Sequence, residues 1–310
     1  MSDFTTPATV IERDRYGRPL IKPADGGKAV AYTRMTTFID CLDDRSNLEK
    51  WKMRKVAQGL STRPDLLLAI SSLTDPDGGD KRALNDIVEQ ALDAANHKGK
   101  ATIGTALHKY AERINLGETV DVPAEYRADI EAYKRATAGL QVIATETLLV
   151  LDEYRVAGTP DMLAIHNGRL KVVDLKTGSI EWGMGKIAMQ LGGYANSLNY
   201  DPATGARTPL GDIDLTEAVV IHMPAGEGRC ELVPVDIARG WAAFPLAQQV
   251  RDWRKAKWPT TPLQSGPDLA SLIGIAATAD DLRNLWAAHQ DLWSDELTQL
   301  AAQRIQALAA

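Results

Sequence analysis

The sequence predicts an α/β fold: a mixed central sheet flanked by helices, with a helical region before it and a helical tail after it. Three observations predict this. Up to about residue 140 the apolar residues recur at helical spacing. From 141 the chain switches to short runs rich in Val, Leu and Ile, broken by turn residues and interrupted by one helical segment. Helical patterning then returns from 236, and again beyond a Pro/Gly/Ser-rich stretch. These shifts divide the chain into a main domain, 1–264, and a C-terminal amphipathic appendage, 265–310. Within the main domain, 1–140 is the helical part and 141–258 the sheet core.

The expected helices of the first part span 46–60, 63–73, 80–97, 101–116 and 123–138, with Asp75-Pro76-Asp77-Gly78-Gly79 as a turn between two of them. Strands follow at 141–153, 154–165 and 169–176. Asn167-Gly168 joins the last two as a hairpin, since both residues tolerate the positive φ that a tight turn requires. A helix at 183–199 comes next, then strands at 216–223 and 229–235 joined through Gly226 and Gly228, then one long helix at 236–257. Pro259, Pro262, Ser265, Gly266 and Pro267 mark a linker. From Ala279 to Ala310, Leu282, Leu285, Trp286, His289, Trp293, Leu297, Leu300 and Ile305 recur at helical spacing. That stripe reads as a helical hairpin packed on the core or as a docking element for another subunit or partner.

The chemistry concentrates between Gly158 and Tyr194. On a strand, Asp174 and Lys176 project to one side while Val173 and Leu175 project to the other. The hairpin sets Met162, Leu163 and Ala164 against Val172 and Val173, and brings Asp161 near Asp174. Two carboxylates converging on one point repel unless a cation lies between them, and oxygen ligation of this kind suits Mg²⁺ or Mn²⁺. Gln190 and Tyr194 share one face of the next helix, whose glycine-rich start, Gly183 and Gly185, carries Lys186 and offers free amides to a phosphate. Upstream, His108 and Glu112 lie one turn apart on an amphipathic helix.

The ordered set Gly-Thr-x-x-His (Gly104 to His108), Gly-Thr-Pro-Asp (Gly158 to Asp161), Asp-Leu-Lys-Thr-Gly (Asp174 to Gly178) and Gln-x-x-x-Tyr (Gln190 to Tyr194) resembles the RecB-type branch of the PD-(D/E)XK nucleases. It is more similar still to the small exonucleases that tailed bacteriophages use for DNA recombination or degradation. Thr36-Thr37-Phe38-Ile39-Asp40, with Leu48 and Trp51 following, resembles the lead-in of those enzymes, and the resemblance covers roughly 30–260. It implies a restriction-endonuclease-like core. It also implies that His108, Asp161 and Asp174 bind metal with the Leu175 carbonyl, that Lys176 is the catalytic lysine, and that Gln190 and Tyr194 position DNA. Glu112 and Glu146 are further acidic candidates. The implied substrate is linear double-stranded DNA, cut to leave 5′-phosphate and 3′-hydroxyl ends. The implied partners are a single-strand annealing protein or further copies of the chain. Many members of the branch bind an iron–sulfur cluster through four cysteines; Cys41 and Cys230 are the two present, too few for that cluster.

Composition bounds the rest. Of 310 residues, 45% are hydrophobic and 25% charged, which is ample for a core. No apolar run is long enough to span a bilayer, no signal-peptide pattern is seen, and two distant cysteines suit a reducing compartment, so a cytoplasmic protein is expected. A net charge of −6 argues against a broad nucleic-acid surface and leaves room for a local channel. The candidate grips are Arg13, Arg15, Arg18 and Lys22; Lys50, Lys52, Arg54 and Lys55; and Arg251, Arg254, Lys255 and Lys257. Each reads equally as a solvated face, and Lys186, Lys52, Lys55 and Arg254 are the chosen DNA contacts. An ATPase phosphate loop is excluded, because Met184 stands where its lysine would be. His97, His166, His222 and His289 lack the paired spacing of a zinc hydrolase. An endonuclease or flap trimmer, and an end-binding protein without turnover, remain as alternatives to an exonuclease.

Overall fold

The computed structural model describes residues 11–95, 97–258, 260 and 266–309, with the backbone alone for 97–101. The first elements among the described residues are short strands, β1 (Leu20–Ile21), β2 (Val30–Ala31) and β3 (Thr33–Arg34), that the helical expectation for 1–140 did not include. Helices follow: α1 (Met35–Ile39), α2 (Ser46–Thr62), α3 (Pro64–Ser71), α4 (Lys81–Ala94), α5 (His97–Asn115) and α6 (Arg127–Thr137). Helices α2 to α4 enclose a small core of their own around Leu66, Ile87 and Ala91. Gly59 makes it tight, since a Cβ there would overlap the Ala91 carbonyl.

The expected mixed sheet is present and is joined by a second. After α6 come β4 (Gln141–Thr145), β5 (Leu149–Leu151), β6 (Val156–Gly158), β7 (Met162–His166) and β8 (Arg169–Lys176). Then follow α7 (Met184–Ala195), β9 (Leu198–Tyr200), β10 (Arg207–Thr208), β11 (Glu217–His222) and β12 (Glu231–Asp236). One five-stranded sheet runs β12-β11-β8-β7-β4 and the other β10-β9-β5-β6-β3. In the first, β8 pairs parallel with β11 and antiparallel with β7. Asn167 (φ 51°) and Gly168 (φ 76°) form the tight turn between β7 and β8, and the register sets Met162 opposite Val173 and Leu163 opposite Val172. The first sheet is a middle layer. Val172, Ala218 and Val220 pack towards α1, α7 and the helices that follow β12, while Val173, Leu175, Val219 and Ile221 pack towards α5 and α6.

Several expected elements divide. The strand expected at 141–153 breaks at Glu146, which takes a positive φ of 49°, so β4 joins one sheet and β5 the other. The strand expected at 154–165 breaks over Thr159-Pro160-Asp161, where Pro160 has no N–H to pair, and Asp161 precedes β7 instead of lying in it. The helix expected at 183–199 ends at Ala195, because Leu198–Tyr200 pair with β5. The helix expected at 236–257 is two, α8 (Ile237–Ala242) and α9 (Phe244–Lys255). Pro245 explains the break, for it cannot donate within a continuous helix but fits the first turn of a new one. Gly192 and Gly240 let α7 and α8 touch backbone to backbone.

The chain forms two compact units that separate after Lys255. The boundary expected at 264/265, and Pro259, Pro262 and Ser265 of the expected linker, lie outside the described residues. The second unit holds α10 (Leu269–Ile275), α11 (Ala279–Ala288) and α12 (Asp295–Ala309), one helix more than expected. Its core is Ile273, Ala276 and Leu282 with Leu285, Trp293, Leu297 and Ala301. A capping box between Thr278 and Asp281 starts α11. Among the described residues no helix is long and apolar enough to cross a membrane.

Candidate active site

The two places where the chain passes between sheets lie side by side, and acidic residues collect there. The Glu146 amide donates to the Asp161 carbonyl at 3.3 Å. The Asp161 carboxylate turns to the end of β8, where its Oδ2 accepts the Leu175 amide at 2.6 Å and its Oδ1 lies 3.5 Å from His108 Nδ1. His108 arrives from the layer below. Helix α5 comes close to the end of β8 because residue 104 is glycine: a Cβ there would stand 2.8 Å from Thr177 Oγ1. His108 and Glu112 lie one and two turns further on. His108, Glu112, Glu146, Asp161 and Leu175 line one cavity of about 420 Å³ with Thr105 and Asn115.

From the layer above, α7 supplies Gln190 and Tyr194. Asp174 is buried, with Lys176 Nζ 2.5 Å from its Oδ2. Lys176 is the cation on that oxygen, and among the described residues no amide or hydroxyl joins it there. Burial raises the Asp174 pKa, and the neighbouring Asp161 charge raises it further against the pull of Lys176. Glu146 is pushed up to about 7, by burial first and then by Asp161. For His108, burial opposes the proton, but Asp161 outweighs it and the net pKa is raised. Burial, with Asp174 next, keeps Tyr194 a neutral phenol, hydrogen-bonded with Gln190.

Burial is the first cause of the shifts at Asp174, Glu146 and Tyr194, and neighbouring carboxylate charge adds to it at all three and drives the rise at His108. Asp161, Asp174 and Glu146 converge with Lys176 as the close cation, so the site holds more negative charge than its own side chains neutralise. Carboxylate oxygens, one pair of them buried, and one imidazole are donors of a kind that suits a divalent cation. Among the described residues, no three His, Cys, Asp or Glu side chains are grouped so that they could hold a metal ion; His108 is turned to Asp161, and Asp174 to Lys176.

A family model of the PD-(D/E)XK nuclease superfamily matches residues 65–307. The chain belongs to that superfamily. No curated protein matches it. The match spans all four motifs, from Gly104 to Tyr194, and runs on through both compact units. Nucleases of this superfamily typically use divalent metals, in keeping with the donor set at the end of β8.

Other candidate residues of this PD-(D/E)XK protein stand apart from the cavity. Tyr194 is buried, and Gly158 is needed beside it, since a Cβ there would lie 2.8 Å from the Tyr194 hydroxyl. Tyr194 opens onto a separate cavity of about 170 Å³ lined by Arg13, Arg34, Thr36, Gly158 and Thr159. Sequence reasoning did not assemble this second cavity, although Thr159 sits inside the Gly-Thr-Pro-Asp motif. Lys186 is held between Asp40 (2.5 Å) and Asp43 (3.0 Å), so its charge is already engaged. Lys52 is exposed on α2, Lys55 is hydrogen-bonded to Gln58, and Arg254 is exposed near the end of α9. None of these four lines the acidic cavity.

Proposed function

We propose that the chain is a Mg²⁺- or Mn²⁺-dependent deoxyribonuclease that degrades linear double-stranded DNA from its ends. The observation that carries the hydrolytic reading is the convergence of Asp161, Asp174 and Lys176 at the end of β8, with Asp174 buried and Lys176 the cation on it. Asp161, Asp174 and His108 would hold the metal with the Leu175 carbonyl, and Glu112 and Glu146 face the same cavity. When bound, the metal polarises the scissile phosphate and makes its water acidic. The protein's own groups do the remaining work. Lys176 orients the attacking water and stabilises charge building on the phosphoryl oxygens. Glu146, with a pKa near 7, accepts a proton at neutral pH. Gln190 holds Tyr194, and through it the wall facing the second cavity.

That second cavity favours an end-directed enzyme. Arg13 and Arg34 bring two guanidinium groups, and Thr36, Thr159 and Tyr194 bring hydroxyls, to a space suited to a terminal phosphate dianion. The resemblance of the four motifs to the RecB-type branch is the ground for the same reading, and for a place in bacteriophage DNA recombination with hand-over to a single-strand annealing protein. The test is digestion of end-labelled linear duplex and closed circular duplex with Mg²⁺, by the intact protein and by Lys176→Ala. Loss of the linear form alone, abolished by EDTA and by the substitution, is expected. Cutting of the circle would make the protein an endonuclease; binding without cleavage in Mg²⁺ or Mn²⁺ would make it an end-binding protein.

A further inference from the structure

The segment from Thr177 to Gly183 joins the strand of Asp174 and Lys176 to the helix of Gln190 and Tyr194, and its residues are sorted in a definite way. Its base is fixed: the Ala225 amide donates to the Thr177 carbonyl at 3.1 Å, and His222 Nε2 lies 3.2 Å from the Gly178 carbonyl. Ile180 is buried in the core beneath it. The Gly183 amide then closes a turn onto the Ile180 carbonyl at 3.1 Å. Two residues beyond that anchor, Trp182 is 92% exposed. A large indole so fully in water, on a tethered segment, contributes nothing to the core and costs solvation. The space beside the segment is open, since a Cβ at Gly178 or Gly185 would meet nothing within 4 Å.

We propose that Trp182 is a stacking platform for a nucleobase of a bound DNA strand. This rests on the nuclease reading of the site, with which the segment is continuous. The ligand face that meets Trp182 is uncharged and planar. Glu181 stands exposed beside it and repels a phosphate, and the nearest lysines in sequence are committed, Lys176 to Asp174 and Lys186 to Asp40 and Asp43. A base presents such a face whatever its identity, so the contact would grip a strand without reading its sequence.

The experiment measures binding of a short fluorescein-labelled duplex with one short single-stranded overhang, which fixes its register, in EDTA, where no cleavage occurs, to the intact protein, Trp182→Ala and Trp182→Phe. The duplex is then repeated with an abasic residue moved along it. Trp182→Ala is expected to weaken binding roughly 5- to 100-fold and Trp182→Phe by much less. One abasic position should weaken the intact protein to the same degree and leave Trp182→Ala unaffected. Equal affinity of Trp182→Ala and the intact protein overturns the proposal. So does a loss on Trp182→Ala with no matching abasic position, which assigns the indole to another partner, and so does an intact protein that binds no oligonucleotide. Because no hydrolysis is measured, a protein that shows the base-dependent loss but cleaves nothing in Mg²⁺ sinks the hydrolytic reading and leaves this one standing.

Discussion

Strand β8 carries a lysine paired with a buried carboxylate near each end, and the two are built to opposite ends. Near its start, Lys171 Nζ lies 3.0 Å from Asp214 Oδ2 and 2.6 Å from Glu217 Oε1. The other oxygen of Asp214 accepts the Thr216 amide and hydroxyl and the Glu217 amide. Burial opposes ionisation of Asp214, yet Thr216 and Lys171 outweigh it and hold the carboxyl far below its usual range. Near its other end, Lys176 meets Asp174, but Asp161 crowds the same place, no amide or hydroxyl donates to Oδ2, and the Asp174 pKa goes up. The ingredients match; the satisfaction differs. A lysine–carboxylate pair with every oxygen engaged holds the fold, and one left short of donors is poised for something the chain does not itself contain.

Exchanging each lysine for methionine breaks the comparison most directly. Lys171→Met leaves Asp214 with only Arg169, 3.5 Å from its Oδ2, as a cation, and is expected to cost about 3 kcal/mol, the low end for a buried pair because Arg169 remains and Glu217 is half exposed. That corresponds to a fall in Tm of roughly 6–12 °C, with the cleavage rate of the folded protein retained. Lys176→Met should do the reverse: a loss of cleavage of at least about 10²-fold, with a smaller change in Tm, because Asp174 responds by keeping a proton. Thermal melts and cleavage assays on both variants check this, and equal Tm losses would mean that both pairs serve the fold.

The two ends also answer pH in opposite senses. Glu146 binds its proton more tightly in the folded chain, with its pKa raised from 4.5 to about 7, so the folded state holds more protons than the unfolded state across that window. Stability of the metal-free protein therefore falls as pH rises from about 5 to about 7. Asp214 is depressed, so its contribution is fully present above about pH 4 and lost only below it. In EDTA, Glu146→Gln is expected to flatten the decline in Tm between pH 5 and 8 by a few degrees, as roughly expected for one carboxyl. Asp214→Asn should lower the whole curve without changing its slope in that window. Added Mg²⁺ should flatten the intact protein's curve as well, since it supplies the missing positive charge. A Glu146→Gln curve parallel to that of the intact protein would remove Glu146 from the repelling group.

Parts of this were legible before any coordinates. Period-two alternation and Asn167-Gly168 are local signals, and they suffice for the β7–β8 hairpin and the common face of Asp174 and Lys176. The corners at Glu146 and at Thr159–Asp161 were not legible, because a strand that changes sheets keeps the same apolar pattern as one that does not. The second sheet was missed for a related reason: β3 and β10 have two residues each and pair only with distant segments. The engagement of Lys186 by Asp40 and Asp43, and the cavity that Arg13, Arg34 and Thr159 line together, join distant parts of the chain in ways that no local spacing encodes. Pro245, by contrast, was a plain signal for the α8–α9 break.

At the site end of β8 it is close fit, not charge satisfaction, that places the groups, and this gives the smallest and most local prediction. Gly104→Ala puts a methyl 2.8 Å from Thr177 Oγ1, close enough that α5 or Thr177 must move. Alanine favours the helix over glycine by up to about 1 kcal/mol, which offsets the strain, so Tm should scarcely change. His108, one turn along α5, would then be displaced from Asp161, and cleavage should fall by roughly three- to tenfold. Removing the obstructing hydroxyl and methyl with Thr177→Ala in the same chain should restore most of that loss, a coupling read from the double-mutant cycle. Unchanged cleavage by Gly104→Ala would mean that the approach of α5 to β8 is not what sets His108 in place; a loss that Thr177→Ala does not restore would locate the damage in the helix itself.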